Sequence, residues 1–169
     1  MNASLMSRTL AQSDPEIAAA IASERPDADV TATDASVAAL AVAERNAARL
    51  GLANLRFLEG SWFGAVSPSR FDVIASNPPY VAAGDPALAA LAHEPACALV
   101  AGASGLDALA AIIRTAPQHL APGGVLVLEH GSSQGAAVRA LLAAAGFAAV
   151  ETRRDLAGHE RVSEGTRSR

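Results

Sequence analysis

The sequence has few of the residues that build disulfides, metal centres and aromatic cores. Cys97 is its single cysteine, which excludes an internal disulfide and a cysteine-rich zinc site. Its histidines stand without the spacing of metal ligands, at His93, His119, His130 and His159. Aromatic residues make up only 4% of the chain, so the position of each one is more informative than usual.

Long apolar runs and an excess of basic charge are also missing. No run reaches the roughly 18 residues that a membrane helix needs, and the first residues lack the features of a signal peptide. The net charge of −4 argues against a generic nucleic-acid binder, although a local basic groove stays open. We therefore expect a cytoplasmic protein that binds no membrane and no nucleic acid directly.

What is present is an alternation of helical and strand-like segments. The pattern predicts helices over 13–26, 36–51, 105–117 and 133–146, and strands over 28–34, 54–60, 70–77 and 125–131. Ser13 or Asp14 can cap the first helix, and Gly51 suits the end of the second. Such alternation indicates an α/β fold with a mostly parallel sheet. Two further strands, joined near Ala157 and Gly158, would form an antiparallel pair.

Polar and aromatic residues follow the predicted strands, at the edge where open α/β sheets bind ligands. Asp34 could accept hydrogen bonds from ribose hydroxyls, but its residue type alone favours a helix N-cap. Glu59 is open to the same two interpretations. Trp62 and Phe63 could be core residues or a flat wall beside a purine or a substrate, and both interpretations stay open.

The segment Asn77-Pro78-Pro79-Tyr80 follows a strand of apolar residues that is typical of a buried position. A residue before proline is excluded from the helical region, so Asn77 is held extended. A planar –NH2 group could donate to the Asn77 side-chain oxygen and to the Pro78 carbonyl. Tyr80 could stack on that group. We favour this function over a rigid structural turn, because the prolines remove backbone donors without a gain in packing.

This motif resembles the signature of amino methyltransferases that use S-adenosyl-L-methionine. Within that class the chain is similar to the release-factor glutamine N5-methyltransferases, the HemK or PrmC family, over about residues 17–165. The matching stretches include SNPPYV, EPACALVAGASGLD, LAPGGVLVLEHG and ERV. The resemblance implies a Rossmann-like class I methyltransferase sheet, with a methyltransferase domain over 14–165 and a frayed tail over 166–169.

The resemblance also implies roles for individual residues. Asn77 and the Pro78 carbonyl would hold the side-chain amide nitrogen of a glutamine, in the Gly-Gly-Gln loop of a class I peptide chain release factor. Pro79 and Tyr80 would complete that pocket. The cofactor would be bound by Asn77 together with Asp34, Trp62 and Phe63. Glu94 would support the substrate loop.

The sequence departs from the family before its first predicted helix. The family has an N-terminal helical domain, and its first strand ends in a glycine-rich loop; here no glycine precedes Gly51. Residues 1–13 therefore predict a degenerate or missing first strand. Pro15 cannot donate a hydrogen bond, and Asp14 and Glu16 would repel the carboxylate of the cofactor. The form of TLAQSDPE leads us to expect a frame disruption or a misassigned start upstream.

Three functions remain open on these grounds. The first is glutamine N5-methylation of release factors, with activity impaired in this chain. The second is N6-adenine methylation of DNA or RNA, which the acidic pI and the LEHG and ERV matches disfavour. The third is an inactive methyltransferase remnant that at most binds a partner, which the missing glycine loop favours.

Overall fold

The computed structural model describes residues 8–12, 15–91, 93 and 95–168, with the backbone alone for 8–12 and 15–17. The strands are β1 (Arg8–Gln12), β2 (Asp29–Asp34), β3 (Leu55–Glu59), β4 (Phe71–Ser76), β5 (Leu120–Glu129), β6 (Phe147–Arg154) and β7 (Glu160–Arg167). The helices are α1 (Pro15–Glu24), α2 (Val37–Leu50), α3 (Ala96–Leu99), α4 (Asp107–His119) and α5 (Gly135–Ala144). A 3-10 turn spans Pro86–Ala89.

The strands form one sheet in the order β3-β2-β1-β4-β5-β7-β6. The first five of these are parallel, and β7 runs antiparallel to both β5 and β6. This confirms the predicted α/β fold with a mostly parallel sheet and an antiparallel pair near residue 157. The order of the strands reverses between β1 and β4, which is where such sheets bind ligands.

The first strand is present, although the sequence predicted it to be degenerate or missing. Its five residues pair with β2 on one side and with β4 on the other, at the centre of the sheet. Leu10, for example, lies between Thr31 and Ile74. A central position satisfies backbone groups on both edges whatever the side chains are. The ladder therefore forms without the valine- and isoleucine-rich run that the prediction required.

Helices cover both faces of the sheet. Val30 and Ala32 of β2 pack with Ala18 and Ala22 of α1 in one cluster. The opposite face carries the larger core, which joins β4 and β5 to α4 and α5 through Ile74, Leu109, Ile112, Leu126, Leu128, Val138 and Leu142. Side chains alternate between faces along a strand, so these clusters lie on either side of the sheet. The result is a three-layer sandwich.

The ends of α2 and α4 show how well local sequence signals predict where a helix ends. Gly51 closes α2 in the left-handed conformation, at φ +69°, as predicted. Helix α4 passes Pro117 and ends at His119, two residues later than expected. The missing N–H of Pro117 costs one intrahelical bond, while the buried Ala116 and His119 keep the last turn packed. Ser13 and Asp14, the predicted caps of α1, lie outside the described residues.

The expected frayed tail is wrong for its first two residues. Thr166 lies opposite Val125 of β5 and Ala148 of β6, and Arg167 lies opposite Phe147. Hydrogen bonding on both sides holds this end of β7 in the sheet. No helix in the described part of the chain is both long and apolar enough to cross a membrane.

Candidate functional site

The predicted site residues gather at one edge of the sheet because the strands are in register. Gln12, the last residue of β1, lies between Thr33 of β2 and Ser76 of β4. Ser76 in turn lies opposite Leu128 of β5. The residues that follow, Asp34, Asn77 and Glu129, therefore stand in one row along the C-terminal edge of the parallel strands. The structure brings the predicted ribose ligand and the predicted substrate ligand to the same edge.

Asn77 leaves β4 with its carboxamide available. The side chain is half-buried and makes no hydrogen bond to another described residue. Pro78 is buried behind it, which fixes the backbone that carries its carbonyl. A carboxamide offers an acceptor and two donors, so the pair of Asn77 oxygen and Pro78 carbonyl suits a planar –NH2 group.

Tyr80 is held at both ends. Its hydroxyl donates to Glu129 Oε1 at 3.2 Å, and its carbonyl accepts from Gln134 Nε2 at 3.0 Å. Burial raises the pKa of the Tyr80 phenol, and the neighbouring Glu129 carboxylate raises it further, while Arg161 lowers it. The phenol therefore stays protonated and keeps donating to Glu129. Fixed in this way, the ring of Tyr80 holds one orientation after the end of β4.

Gln134 joins three loops with one side chain. Its Oε1 accepts from the Gly131 N–H at 2.9 Å, and its Nε2 donates to the carbonyls of Tyr80 and Gly105. Gly105 has φ +72°, and a Cβ there would lie 2.3 Å from the Tyr80 carbonyl oxygen. The loop at Gly105 thus packs directly on the backbone of Tyr80, and it needs glycine to do so.

A chain of polar side chains lies behind the end of β5. His130 is fully buried, and its Nδ1 donates to the Gly131 carbonyl while its Nε2 faces Ser163 Oγ at 2.8 Å. Ser163 then contacts Thr152, which accepts from Arg139. In the neutral ring Ser163 donates to Nε2, which leaves every member of the chain satisfied. The chain of hydrogen bonds links the end of β5 to β6 and β7 behind Glu129.

Asp34 does not cap α2. The cap is Ser36, whose Oγ accepts from the Ala39 N–H at 3.2 Å. Asp34 Oδ1 instead accepts from the Ser36 N–H at 2.7 Å, and Oδ2 has no hydrogen bond to another described residue. The N-cap interpretation is therefore wrong, and a carboxylate oxygen stays available at the end of β2. Glu59 lies opposite Asp34 in β3 and is exposed.

The two aromatic residues after β3, Trp62 and Phe63, lie in different surroundings. Trp62 is half-buried and holds a left-handed backbone, at φ +51°, which is uncommon for a residue other than glycine. Phe63 is 4% exposed and stacks on His119, with ring centroids 4.6 Å apart. Phe63 is thus a core residue whose ring faces inward. Of the two, Trp62 has the exposed surface that a role beside an adenine needs.

Two buried hydroxyl groups lack partners at the same edge. Thr33 Oγ1 and Ser76 Oγ make no hydrogen bond within the described part of the chain. They lie on either side of Gln12 and, by register, on the same face of the sheet. Buried polar groups are normally satisfied, so a ligand or water at this edge would complete them. Neither Thr33 nor Ser76 was predicted from the sequence.

The connection from β1 to α1 is short. Gln12 ends β1 and Pro15 begins α1, so two residues join them, and both lie outside the described residues. Glu94, the predicted support of the substrate loop, also lies outside them. Among the described residues no group of three or more histidine, cysteine, aspartate or glutamate side chains could hold a metal ion.

Two further residues of this site were missed by sequence reasoning. Glu129 stood inside a matching stretch, LEHG, but nothing in the local pattern tied it to Tyr80. Gln134 follows a strand end by five residues and contacts a carbonyl 54 positions away. Glu129 could have been predicted as a site residue from its position at the end of a strand. No local sequence pattern indicates a role for Gln134.

Comparison with known families gives a match to the methyltransferase small domain over residues 16–102. The chain is 55% identical over 151 residues to the release factor glutamine methyltransferase of Xylella fastidiosa strain Temecula1, covering 88% of this chain and 55% of that protein. It is 50% identical to the Salmonella typhimurium protein of the same name, covering 88% of this chain and 54% of that protein. The chain thus spans about half the length of the curated relatives it matches.

Solved structures share the fold at low sequence identity. A methyltransferase from Pyrococcus furiosus superposes with a TM-score of 0.71 at 21% identity, covering 96% of this chain and 75% of that one. A ribosomal protein L11 methylase from Lactobacillus delbrueckii gives 0.67 at 20% identity, covering 99% and 73%. These likenesses show that the chain shares its overall fold with these two proteins.

Proposed function

Because the chain belongs to the methyltransferase small domain family, we propose that it takes part in methyl transfer from S-adenosyl-L-methionine to a glutamine. The acceptor would be the side-chain amide nitrogen, N5, in the Gly-Gly-Gln loop of a class I peptide chain release factor. The observation that carries the proposal is the available Asn77 carboxamide beside a fixed Tyr80, at the C-terminal edge where β1 meets β4. The similarity to release factor glutamine methyltransferases supports this choice of acceptor.

The residues at this edge fit the adenosine part of the cofactor. The available oxygen of Asp34 suits a ribose hydroxyl, and Trp62 offers a flat surface two residues after Gly60. Gly60 itself donates to the Asp34 carbonyl, which places the Trp62 loop beside Asp34. The unpartnered Thr33 and Ser76 hydroxyls add polar groups at the centre of this edge. Phe63 would act from behind, as core support for the loop.

The methionine part of the cofactor has weaker support. Helix α1 begins at Pro15, which has no N–H, and its second residue is the acidic residue Glu16. A helix N-terminus attracts anions through free N–H groups, and these two residues reduce that attraction. We therefore infer that the chain binds the cofactor less tightly than a family member with a glycine-rich loop, and that its turnover is impaired.

The protein's own contribution to the reaction would be alignment. The bound cofactor would supply an activated methyl group, which carries the difficult step. Asn77 and the Pro78 carbonyl accept the two amide hydrogens, which positions the nitrogen and favours positive charge on it. Tyr80 limits the rotation of the amide plane. Orientation of this kind is worth on the order of 7–11 kcal/mol when the geometry is near-attack.

The test has two steps, which separate the three functions. Calorimetric titration of S-adenosyl-L-methionine into the purified chain measures cofactor binding, and its absence would support the inactive remnant. Transfer of a labelled methyl group is then compared between a Gly-Gly-Gln peptide and an adenine-containing oligonucleotide. Methylation of the peptide supports the proposal, and methylation of the oligonucleotide alone would refute it.

Asn77→Ala sharpens the test. The loss of one oriented hydrogen-bonding group should lower transfer to the peptide by about 100-fold or more. Cofactor affinity should stay within about twofold of that of the unaltered chain, since we assign Asn77 mainly to the acceptor, although the resemblance also places it among the cofactor-binding residues. An equal loss of affinity and transfer would assign Asn77 to the cofactor instead.

A further inference from the structure

A cavity of about 520 Å³ opens at the edge of the sheet opposite Asn77. Its walls come from the segment before β4, the end of α4 and the end of β7, through Ser67, Pro68, Arg70, Gln118 and Arg167. Arg70 precedes the first residue of β4, whereas Asn77 follows the last. The six residues of β4 separate them by about 20 Å at the usual strand rise. This cavity is therefore separate from the proposed methyltransferase site.

Two arginine side chains converge in the cavity. Arg70 Nη1 donates to the carbonyl oxygen of Leu120 at 3.1 Å, and Arg167 Nη1 donates to the same oxygen. A guanidinium group carries five N–H donors in a rigid fork. Each of these side chains uses one of its donors within the described part of the chain, so several donors of each remain for a ligand.

In the part of the chain that the structure describes, no ion pair balances the positive charge of the two arginines. Among the described residues no carboxylate lines the cavity, and neither arginine forms an ion pair with any of them. Leu120 follows the end of α4, and a helix C-terminus carries the equivalent of about half a negative charge. Two guanidinium groups bring two positive charges to that position. The C-terminus of α4 therefore offsets only part of this positive charge. Two like charges are still held close together.

A buried histidine forms the inner wall. His119 is 8% exposed and is held by its stacking on Phe63. Its Nδ1 has no hydrogen-bond partner among the described residues. The ring cannot rotate freely toward solvent, because Phe63 lies parallel to it. The cavity therefore combines a fixed wall, two charged forks and the exposed amide of Gln118.

We propose that this cavity binds a small ligand through an oxyanion, either a phosphate or a carboxylate group. Paired guanidinium forks are the donors that match such groups bidentately. The cavity is open to solvent, and Pro68 and Pro117 supply apolar surface for the rest of the ligand. The protein as a whole carries a net charge of −4, which repels anions. Binding of an anion in this cavity would therefore depend on the local site and not on the net charge of the protein.

The experiment titrates the purified chain with inorganic phosphate and, separately, with succinate, at constant ionic strength. A ligand that binds the folded state raises the melting temperature with saturable concentration dependence. The chain should respond to one or both probes. A response to phosphate alone identifies a phosphate ligand, and a response to succinate alone identifies a carboxylate ligand. No response to either would overturn the proposal.

Matched variants locate the site. The double variant R70Q/R167Q should weaken the apparent affinity for the active probe by about tenfold or more, since both charged forks are lost. R45Q/R49Q makes the same change of charge at exposed positions of α2, away from the cavity, and should leave the affinity unchanged. Equal responses in the two double variants would mean non-specific anion binding, which contradicts the proposal.

A third variant keeps the test valid if R70Q/R167Q does not fold. Gln118→Glu retains the side-chain shape at an exposed position and places a carboxylate beside both arginines. It should weaken anion binding by about tenfold while the chain stays folded, because the new charge occupies the forks. Unchanged affinity in this variant would overturn the proposal.

Discussion

At the end of β4, Tyr80 is fixed through its hydroxyl by Glu129 and through its carbonyl by Gln134. At the end of β1, by contrast, two residues lead to a helix that opens on Pro15 and Glu16. The first region keeps several hydrogen bonds that would position the proposed substrate amide. In the second region the first residue of α1, Pro15, has no N–H to donate to an anionic group. The comparison teaches that the proposed acceptor half and the proposed cofactor half of one site can differ in the interactions that support them.

Gly105→Ala should damage the acceptor half most. The new Cβ would lie 2.3 Å from the Tyr80 carbonyl oxygen, on a backbone with φ +72°. Steric overlap and left-handed strain together should cost about 3 kcal/mol in the free energy of unfolding, measured by urea denaturation. Gly84→Ala is the control, since φ is +87° there but nothing lies within 4 Å. It should cost about 1 kcal/mol, and equal losses would show that the contact with Tyr80 is unimportant.

Gln134→Glu should have the next largest effect. The substitution keeps an oxygen that can accept from the Gly131 N–H but removes the donor to the carbonyls of Tyr80 and Gly105. The free energy of unfolding should fall by about 1–2 kcal/mol. Peptide methylation should fall as well, with cofactor affinity unchanged. A loss of cofactor affinity alone would contradict the assignment of Gln134 to the acceptor half.

Glu16→Gln should improve the cofactor half. Removing a carboxylate from the first turn of α1 favours an anion there by about 0.3–1 kcal/mol, so S-adenosyl-L-methionine should bind up to about fivefold more tightly. Glu24→Gln makes the same change of charge in the last turn of α1 and should not alter the affinity. The measurement is calorimetric titration of both variants. Equal affinities would show that this helix end does not face the cofactor.

The smallest expected effect concerns pH. Burial and Glu129 raise the pKa of Tyr80, so the folded protein holds the phenol proton more tightly than the unfolded chain does. The corresponding stabilisation is fully present below about pH 10, the ordinary tyrosine value, and is lost as the pH rises through the folded pKa.

Ultraviolet absorbance can follow this titration directly because Tyr80 is the sole tyrosine. Urea denaturation between about pH 8 and 11 should show a steeper loss of stability in the unaltered chain than in Tyr80→Phe. Identical pH dependence in the two proteins would mean that the hydrogen bond to Glu129 is not maintained in solution.

The parts of the fold that local signals decide were predictable. The α/β alternation, the antiparallel pair and the Gly51 cap follow from periodicity and from residue types at element ends. Local patterns did not show that Arg8–Gln12 occupies the central strand, because its support comes from β2 and β4 on either side. The end of α4 differed from the prediction for a related reason. Packing of the buried His119 outweighs the tendency of Pro117 to end a helix.

The site was predictable where residues are consecutive in sequence. Asn77, Pro78, Pro79 and Tyr80 form one segment after a strand, and Asp34 follows another. Position alone could not distinguish Trp62 from Phe63, whose burial depends on His119 more than 50 residues away. Nor could it find Gln134 or the unpartnered Thr33 and Ser76. These depend on which strands become neighbours, which is a property of the whole sheet.

The position of β7 between β5 and β6 has a consequence for synthesis on the ribosome. Strand β6 is made before β7, but within the described sheet it joins β5 only through β7. Until residues 160–167 have emerged, the apolar strand β5 has an open edge, and open edges invite pairing with other chains. The nascent protein would therefore be most prone to aggregation in the interval between completion of β5 and insertion of the β6–β7 hairpin.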